Sequence, residues 1–326
     1  MTSHLILFED ATSAHLEPLT LTRPVDDLRV GLRTIRERWE RALGSRRASG
    51  ILRPSLRGLF PSPRKSAGES IWINARYLPS FSLVDAIRGL ARGHVRCGND
   101  LVAIRSNGDE TRAWLEAGHP QPRGKAHELS DDTPRLVYPW DIMRHAPDAI
   151  VTEATTLGWP AGRGPFCHTS AIVDRSDRVF MHSTAVVEPG AILVAEEGPI
   201  LLDEGARVMA GAMLRGPVAV GAHATVRMGA RVYGGTVIGP WCKIGREVAA
   251  SVFHSYSNKA HEGYVGNSVI GQWVNLGADT TASNLKMTYG TVKMLDWPTG
   301  VEVDTGEQFV GAIIADNPVI LSVALI

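Results

Sequence analysis

The chain has 326 residues, 44% hydrophobic and 21% charged, with Lys plus Arg and Asp plus Glu at 34 each. This balance excludes the broad positive field of a nucleic-acid-binding protein and fits a globular chain with room for two domains. Cys97, Cys167 and Cys242 match no zinc-ligand spacing and indicate a reducing compartment. Because no signal peptide and no apolar run of ~20 residues is visible, we expect a cytoplasmic protein without a membrane partner.

Strand and helix signals alternate in the first part of the chain. An apolar run predicts a buried strand at 5–8, and an amphipathic pattern predicts a helix over 30–43. Strand, loop and helix in this order are typical of the start of an α/β domain. The elements predicted after a surface loop at 44–70 are strands at 71–74 and 100–105, a helix at 82–91, a polar connector at 117–134 and a helix at 140–156.

The loop between the first strand and helix could hold phosphate against the helix N-terminus. Arg23, Arg29 and Arg33 are candidate phosphate contacts, although solvated arginines would give the same pattern. The cations of the 44–70 loop could likewise cover an anionic ligand or simply be solvated. They are Arg46, Arg47, Arg53, Arg57, Arg64 and Lys65.

A six-residue period dominates the second half of the chain. One position in each step is aliphatic, and a small or β-branched residue follows four positions later. The aliphatic positions are Leu202, Val208, Leu214, Val220, Val226, Val232, Ile238 and Ile244. The small positions are Ala206, Ala212, Val218, Ala224, Ala230, Thr236, Cys242 and Val248. This period is neither 3.6 nor 2 and predicts a parallel β-helix, in which each step makes one face and one corner.

The repeat begins near Phe166 and changes frame after Ile244. Since insertions in solenoids gather on one face, often the binding face, residues 247–266 are predicted to form a loop or bulge at a site. The resumed frame is Val252, Asn258, Tyr264, Ile270 and Leu276. A hairpin is predicted within 292–308 and a returning strand at 309–315, after which residues 316–326 lose the pattern.

Residues 16–24 read L-E-P-L-T-L-T-R-P and resemble the first loop of sugar-nucleotide pyrophosphorylases, L-x-P-L-T-x-x-x-P-K. The family's Gly-rich turn is replaced by residues 9–15, its lysine by Val25, and its Mg²⁺-holding Gly-Asp by the segment 74–76. The resemblance implies a nucleotidyltransferase-like domain with an atypical site. Its expected ligands are a nucleoside triphosphate or sugar nucleotide, with Mg²⁺ as a possible cofactor.

Residues 257–284 resemble the acetyltransferase half of the bifunctional N-acetylglucosamine-1-phosphate uridyltransferase / glucosamine-1-phosphate acetyltransferase. The matching segments are Ser257-Asn-Lys-Ala-His261, Tyr264, Asn275-Leu-Gly-Ala278 and Asn284. The resemblance implies a left-handed β-helix that trimerises with active sites between subunits. It also implies N-acetylation of an amino-sugar phosphate with acetyl-CoA as acyl donor, and the whole chain is most similar to divergent sugar nucleotidyltransferase relatives of that enzyme.

By this resemblance His261 is the general base, because a neutral imidazole can take the proton as a sugar amine attacks the thioester. Glu247 is expected to orient that imidazole. The family's lysine two residues after this position is Ala249, and the coils beyond residue 292 are shortened. The implied sugar-phosphate contacts are Arg231, Tyr264, Asn275 and Asn284, and the implied acyl-donor contact is the backbone of Ala278.

Structural interpretations stay open beside these roles. Asn275 could stack on neighbouring coils, Tyr264 could pack in the core at its hexad position, and Arg231 could simply be exposed. A non-catalytic trimeric scaffold or sugar-nucleotide sensor is the alternative function. A β-helix carbonic anhydrase would need three zinc-binding histidines, and only His254 and His261 come close.

The predicted architecture is an α/β nucleotidyltransferase-like domain plus an all-β left-handed parallel β-helix. The predicted boundaries are 1–138 for the α/β domain, 139–165 for a helical connector, 166–292 for the β-helix and 293–326 for a C-terminal tail.

Overall fold

The computed structural model describes residues 4–45, 47–60, 62, 69–91 and 93–320. It divides into two compact units: unit 1 comprises Met1–Leu28 and Arg33–Val137, and unit 2 comprises Arg29–Leu32 and Tyr138–Ile326. Three of the cations predicted to cover a ligand, Arg46, Arg64 and Lys65, lie outside the described residues. Residues 321–326 of the predicted tail do so as well.

A six-stranded mixed sheet with three helices forms unit 1. Its strands are β1 His4–Phe8, β2 Ala48–Gly50, β3 Ser70–Asn74, β4 His94–Cys97, β5 Asp100–Ser106 and β6 Ala126–Glu128. Its helices are α1 Ile35–Leu43, α2 Phe81–Gly89 and α3 Gly108–Ala117. The strand order is β2-β1-β3-β5-β4-β6; β1 is parallel to β2 and β3, whereas β5 is antiparallel to β3 and β4. The predicted α/β class is confirmed.

The predicted strands at 5–8, 71–74 and 100–105 and the helix at 82–91 are confirmed. Helix α1 is shorter than predicted, because Thr34 caps it by accepting from the Glu37 amide in a capping box. The predicted 44–70 loop contains β2, and the predicted 117–134 connector contains β6. Strands of three residues are too short to show a periodic signal, which is why both were missed. Strand β4 and helix α3 were not predicted either.

Unit 2 is a column of short parallel strands arranged in three sheets, named faces A, B and C. Face A contains β7 Phe166–Cys167, β10 Val186–Val187, β13 Arg207–Val208, β16 Thr225–Val226, β19 Lys243–Ile244, β22 Asn258–Lys259, β25 Asn275–Leu276 and β29 Val319–Ile320. Face B contains β8 Ile172–Asp174, β11 Ile192–Val194, β14 Met213–Arg215, β17 Arg231–Val232, β20 Glu247–Ala249 and β23 Tyr264–Gly266. Face C contains β9 Val179–Met181, β12 Ile200–Leu202, β15 Val218–Val220, β18 Thr236–Ile238, β21 Val252–Ser255, β24 Val269–Gln272 and β28 Ile313–Ile314.

The stacked aliphatic positions predicted from the repeat form the core of this column. Leu202, Val220 and Ile238 align on face C, and Val208, Val226 and Ile244 align on face A. All eight predicted positions are at most 2% exposed. Burying such side chains contributes roughly 1.5–3 kcal/mol each, as an upper estimate. The predicted β-helix is confirmed, and the repeat is that of a left-handed parallel β-helix.

The six-residue frame predicted for the inward positions after Ile244 is wrong by one residue at its first three positions. The inward positions are Phe253, Lys259 and Val265, not Val252, Asn258 and Tyr264. The chain also stays in the column instead of leaving it as a loop. The reason is that the coils become shorter: eighteen residues separate Val226 from its partner Ile244, whereas fifteen separate Ile244 from Lys259.

The same shortening changes the role of Val248, which was predicted to fill a corner. It pairs with Val232 and Val265 and lies inside face B. The last coil differs from its prediction as well, because β29 pairs with β25 and extends the column to residue 320. The predicted hairpin is confirmed as β26 Lys293–Asp296 and β27 Val301–Asp304.

Helix α4, Asp141–Thr156, packs against the outside of face C, and the prediction of a helix at 140–156 is confirmed. Ile142, Ala146 and Ile150 are buried there. Buried Glu153 accepts a 2.7 Å hydrogen bond from the Leu32 amide, which joins the segment Arg29–Leu32 to this helix. No helix within the described ranges has both the length and the apolar character needed to cross a bilayer.

Aromatic side chains occupy one corner of the column in successive coils. His223 stacks on Trp241 with ring centroids 4.4 Å apart, and Tyr256 stacks on Trp273 at 4.6 Å. All four residues have φ between 55° and 62°, in the left-handed region that favours glycine. Stacking along the corner is therefore combined with an unfavourable backbone conformation at each position.

Candidate functional site

Polar side chains meet at one edge of the unit 1 sheet. Asp10 follows β1 by two residues, Asn74 ends the neighbouring parallel strand β3, and Arg76 comes two residues later. Asp100 begins β5, which is antiparallel to β3 and so starts at the same edge. Ligands of open α/β sheets bind outside the carboxyl ends of the strands, which makes this edge the candidate site of unit 1.

The guanidinium of Arg76 holds this edge together. Its Nε donates to Asp10 Oδ1 at 2.8 Å, and its Nη2 donates to Asp10 Oδ2 at 2.5 Å and to Asp100 Oδ2 at 2.7 Å. Arg76 is 1% exposed. Asn74 Nδ2 adds a 2.7 Å bond to Asp10 Oδ2, and the Tyr77 hydroxyl donates to Asp100 Oδ2 at 2.8 Å.

These contacts set the protonation of the edge. Burial acts to raise the pKa of Asp10, but the Arg76 guanidinium and the hydrogen bonds from Asn74 and Ser13 lower it overall. Burial and the Asp100 carboxylate raise the pKa of Tyr77. At neutral pH Asp10 is therefore a carboxylate paired with the Arg76 guanidinium, and Tyr77 is a protonated phenol.

This donor set does not fit the Mg²⁺ that the family resemblance implied. Mg²⁺ needs carboxylate oxygens with room for several waters around it. The facing oxygens of Asp10 and Asp100 already accept from a buried cation, whose charge opposes a second one. Among the residues that the structure describes, no three His, Cys, Asp or Glu side chains are grouped to hold a metal ion.

The arginines predicted to contact phosphate lie elsewhere. Arg23 is 3% exposed and its Nη1 lies 2.6 Å from Asp27 Oδ2, within unit 1. Arg29 belongs to unit 2, where its Nε donates to the His254 carbonyl at 2.8 Å and its Nη1 to the Leu32 carbonyl. Arg23 and Arg29 are thus in different units, and both guanidinium groups bind oxygens of the protein.

The loop of unit 1 that resembles the pyrophosphorylase loop is held by one cation of the predicted 44–70 loop. Arg53 Nε lies 3.1 Å from Glu9 Oε2, and its Nη2 donates to the carbonyls of Thr20 and Arg23. Burial raises the pKa of Glu9, although its carboxylate accepts from the Val25 amide at 2.8 Å. Arg53 therefore has a structural role in fixing this loop.

A second group of predicted residues lies on the outside of face B. Arg231, Glu247 and Tyr264 follow one another in register on β17, β20 and β23. Arg231 Nη2 lies 3.1 Å from Glu247 Oε2, and both side chains are partly exposed. The hexad interpretation of Tyr264 is wrong, because Val265 fills the core position and Tyr264 lies outside the column.

Asn284 completes this group. Its Nδ2 donates to the Tyr264 hydroxyl at 3.1 Å and to Asn267 Oδ1 at 2.7 Å. Burial and the Glu247 charge raise the pKa of Tyr264 against the lowering effect of Asn284, so the phenol stays protonated at neutral pH. Since the phenol oxygen accepts from Asn284, its own proton can be donated to a ligand.

His261 is exposed in the turn that leads from β22 to Tyr264. The buried ammonium of Lys259 holds this turn by donating to the carbonyls of His261 at 2.7 Å and Glu262 at 3.3 Å. Arg246 forms an ion pair with Glu262 from the coil beneath. Glu247 does not show the orienting role predicted for it, since no hydrogen bond within the described residues joins it to His261 and its carboxylate binds Arg231.

Lys259 itself was not recognised as a site residue from the sequence. It is 1% exposed at an inward position of face A, and burial lowers its pKa to about 8. The available signal was the charged residue at the position where the aliphatic stack should continue. The frame error after Ile244 hid that signal, because it placed Asn258 inward instead.

The last two predicted contacts are not part of the face B group. Asn275 lies on face A, where it accepts a 2.9 Å hydrogen bond from Asn258 on the neighbouring coil. Ala278 is half-buried, two residues after β25. The structure thus brings together Arg231, Glu247, Tyr264 and Asn284, and places Asn275 and Ala278 apart from them.

Comparison with known proteins bears on the N-terminal half. Residues 5–158 match the family described as Sugar nucleotidyl transferase. The matched residues include nearly all of unit 1, which is therefore similar to that family. The match spans the polar edge at Asp10, Asn74 and Arg76 and continues through α4. No curated protein has a sequence that matches this chain.

Proposed function

We propose that the protein is a transferase of sugar-nucleotide synthesis that carries two sites. Unit 1 takes a nucleoside triphosphate and a sugar 1-phosphate, and the β-helix transfers an acetyl group from acetyl-CoA to an amino-sugar phosphate. A homotrimer is the proposed assembly. The observation that carries the acetyl-transfer part is the grouping of Arg231, Glu247, Tyr264 and Asn284 beside the turn of His261.

The proposed acetyl transfer uses His261 as general base. The sugar amine attacks the thioester carbon, a C–N bond forms, the C–S bond breaks, and the amine proton passes to the imidazole while CoA leaves as its thiolate. General-base catalysis of this kind contributes typically ~10²–10⁴ in rate. Exposure of His261 supports this role, because the substrate must reach the ring.

The face B group is suited to the phosphate of the acceptor. Arg231 is 55% exposed, so its guanidinium can turn from Glu247 towards an incoming phosphate and offer two parallel donors. The Tyr264 hydroxyl supplies a further donor, and Asn284 holds the phenol oxygen in place. The backbone near Ala278 is the proposed contact for acetyl-CoA, carried over from the family resemblance.

Nucleotidyl transfer at unit 1 is supported by the family match and by the polar edge at the carboxyl ends of β1 and β3. In the proposed reaction an oxygen of the sugar phosphate attacks the α-phosphorus and pyrophosphate leaves. Arg76 and Asn74 fix Asp10 at this edge, and Tyr77 is bonded to Asp100.

The decisive experiment for the β-helix is His261→Ala, assayed by thiol release with a panel of amino-sugar phosphates and acetyl-CoA. Turnover is expected to fall by about 10²–10⁴ while the oligomeric state stays the same. His168→Ala is the matched control, since His168 is also exposed and lies in the first coil. Turnover retained in His261→Ala would contradict the proposal.

A non-catalytic sugar-nucleotide sensor is the second candidate. The observation that favours it is that the Asp10 and Asp100 carboxylates at the edge of the unit 1 sheet are already paired with Arg76. Calorimetry separates the two functions. A sensor would bind sugar nucleotides without turnover and would not bind CoA, whereas the transferase binds both classes and releases thiol.

A further inference from the structure

One nitrogen atom links the two aspartates at the unit 1 edge. Arg76 Nη2 lies 2.5 Å from Asp10 Oδ2 and 2.7 Å from Asp100 Oδ2. The distance between Asp10 Oδ2 and Asp100 Oδ2 therefore cannot exceed the sum of these two distances. A divalent cation that bridges two carboxylates sits between their oxygens in the same way, at roughly 2.0–2.6 Å from each.

The guanidinium is fixed in this position. Its Nε donates to Asp10 Oδ1 at 2.8 Å and its Nη1 to the Leu136 carbonyl at 3.3 Å, and the residue is 1% exposed. An arginine does not lose its proton in a protein, so the positive charge is permanent. Leaving the position would strand a buried cation without its partners, which is strongly unfavourable.

The three carboxylate oxygens that accept from Arg76 offer little to a metal, because each also accepts from another donor. Asp10 Oδ2 also accepts from Asn74 at 2.7 Å, and Asp10 Oδ1 accepts from the Ser13 amide at 3.2 Å. Asp100 Oδ2 accepts from the Tyr77 hydroxyl at 2.8 Å. A cation arriving from solvent would have to displace these donors and lie beside a positive charge.

We propose that the Arg76 guanidinium stands permanently where a divalent cation would bridge Asp10 and Asp100, so that unit 1 binds its nucleotide without a divalent cation. The nucleotide part rests on the function proposed above. The metal part concerns Asp10, Arg76 and Asp100 alone and is tested separately from it.

The first test is a Mn²⁺ titration of the full chain, followed by the electron paramagnetic resonance signal of free Mn²⁺. The wild type is expected to show no Mn²⁺ site that depends on Asp10. Arg76→Met removes the guanidinium and keeps much of its volume, so one Mn²⁺ per chain is expected to bind, and Arg76→Met with Asp100→Asn is expected to lose it. Arg207→Met is the control, since Arg207 belongs to unit 2 and its Nη1 lies 2.8 Å from Glu188 Oε1.

The second test measures UTP and UDP-N-acetylglucosamine binding to the full wild-type chain by calorimetry, in EDTA and in Mg²⁺. For each compound, the dissociation constant measured in EDTA is expected to agree within about twofold with the one measured in Mg²⁺. A tenfold weaker constant in EDTA, or a wild-type Mn²⁺ site that Asp10→Asn removes, would overturn the inference. If neither compound binds in either buffer, the function proposed for unit 1 fails, and the Mn²⁺ titration of the wild type still decides the metal question.

Discussion

Two arginine–carboxylate groups in this protein have similar chemistry and opposite surroundings. In unit 1, Arg76 is 1% exposed and donates to carboxylate and carbonyl oxygens within 3.3 Å. On face B, Arg231 is 55% exposed and its ion pair with Glu247 is 3.1 Å long. Burial makes the first group a fixed part of the fold, whereas exposure leaves the second free to exchange its partner for a ligand. Distance alone would not separate these roles.

The largest effect on stability is expected for Asp10→Ala. Removing this carboxylate leaves the buried Arg76 with one of its two charge partners, and breaking a buried pair costs about 3–5 kcal/mol. We expect the free energy of unfolding of unit 1 to fall by that amount in urea melts followed by circular dichroism. A loss below about 1 kcal/mol, as for a surface pair, would remove the contrast between the two groups.

An intermediate effect on stability is expected from the titration of Lys259. This residue is buried like Arg76 but lies beside the exposed group on face B. Its pKa in the folded chain is lowered to about 8, because burial and the charge of Arg246 lower it more than Glu262 and Asp279 raise it. The unfolded lysine has its ordinary value of 10.5. Between these values the unfolded chain holds a proton that the folded chain has lost, so the stability of unit 2 rises with pH there, by up to about 3 kcal/mol.

The measurement is a series of urea melts from pH 7 to pH 10.5 on the wild type and on Lys259→Met. Well below pH 8 Lys259 is protonated in both the folded and the unfolded wild type, so this residue adds no pH dependence to stability there. The variant should lack the additional rise above pH 8. Parallel curves for the two proteins across the whole range would show that Lys259 titrates normally.

The smallest effect is expected for Glu247→Gln. An exposed ion pair contributes typically 0–1 kcal/mol, so thermal melts should show almost no change in stability. Acetyl transfer should change instead through the Michaelis constant of the amino-sugar phosphate, because Arg231 loses the group that positions it. A stability loss as large as that of Asp10→Ala would mean that face B is structural.

The eight aliphatic positions from Leu202 to Ile244 were predictable because a constant coil length repeats the same environment every six residues. After Ile244 the coil length changes, and no local signal marks which residue is dropped. Phe253 and Val265 directly follow Val252 and Tyr264, whose side chains are also largely apolar, so at these two positions the frame could shift by one without an obvious conflict. Only Lys259 conflicts with an aliphatic stack, and its burial depends on carbonyls that the sequence does not locate.

The family resemblance pointed to the residues of the face B group, but their contacts depend on strand register, which the sequence does not give. Arg231 meets Glu247 because the coil between them has sixteen residues, and Tyr264 lies one coil of seventeen residues farther on, where Asn284 donates to its hydroxyl. The Asp10–Arg76–Asp100 group was missed. Asp10 and the segment 74–76 each follow an apolar strand, and parallel pairing of those strands would have brought them to one edge.

The aromatic corner of the column has a consequence for how its coils depend on one another. A left-handed backbone at a residue other than glycine costs roughly 1–2 kcal/mol, and His223, Trp241, Tyr256 and Trp273 all adopt it. Ring contact offsets this cost only while both members of a pair are present. The effects of substituting the two residues of a pair on the free energy of unfolding are therefore not additive. Each stacked pair acts as one unit that links two neighbouring coils.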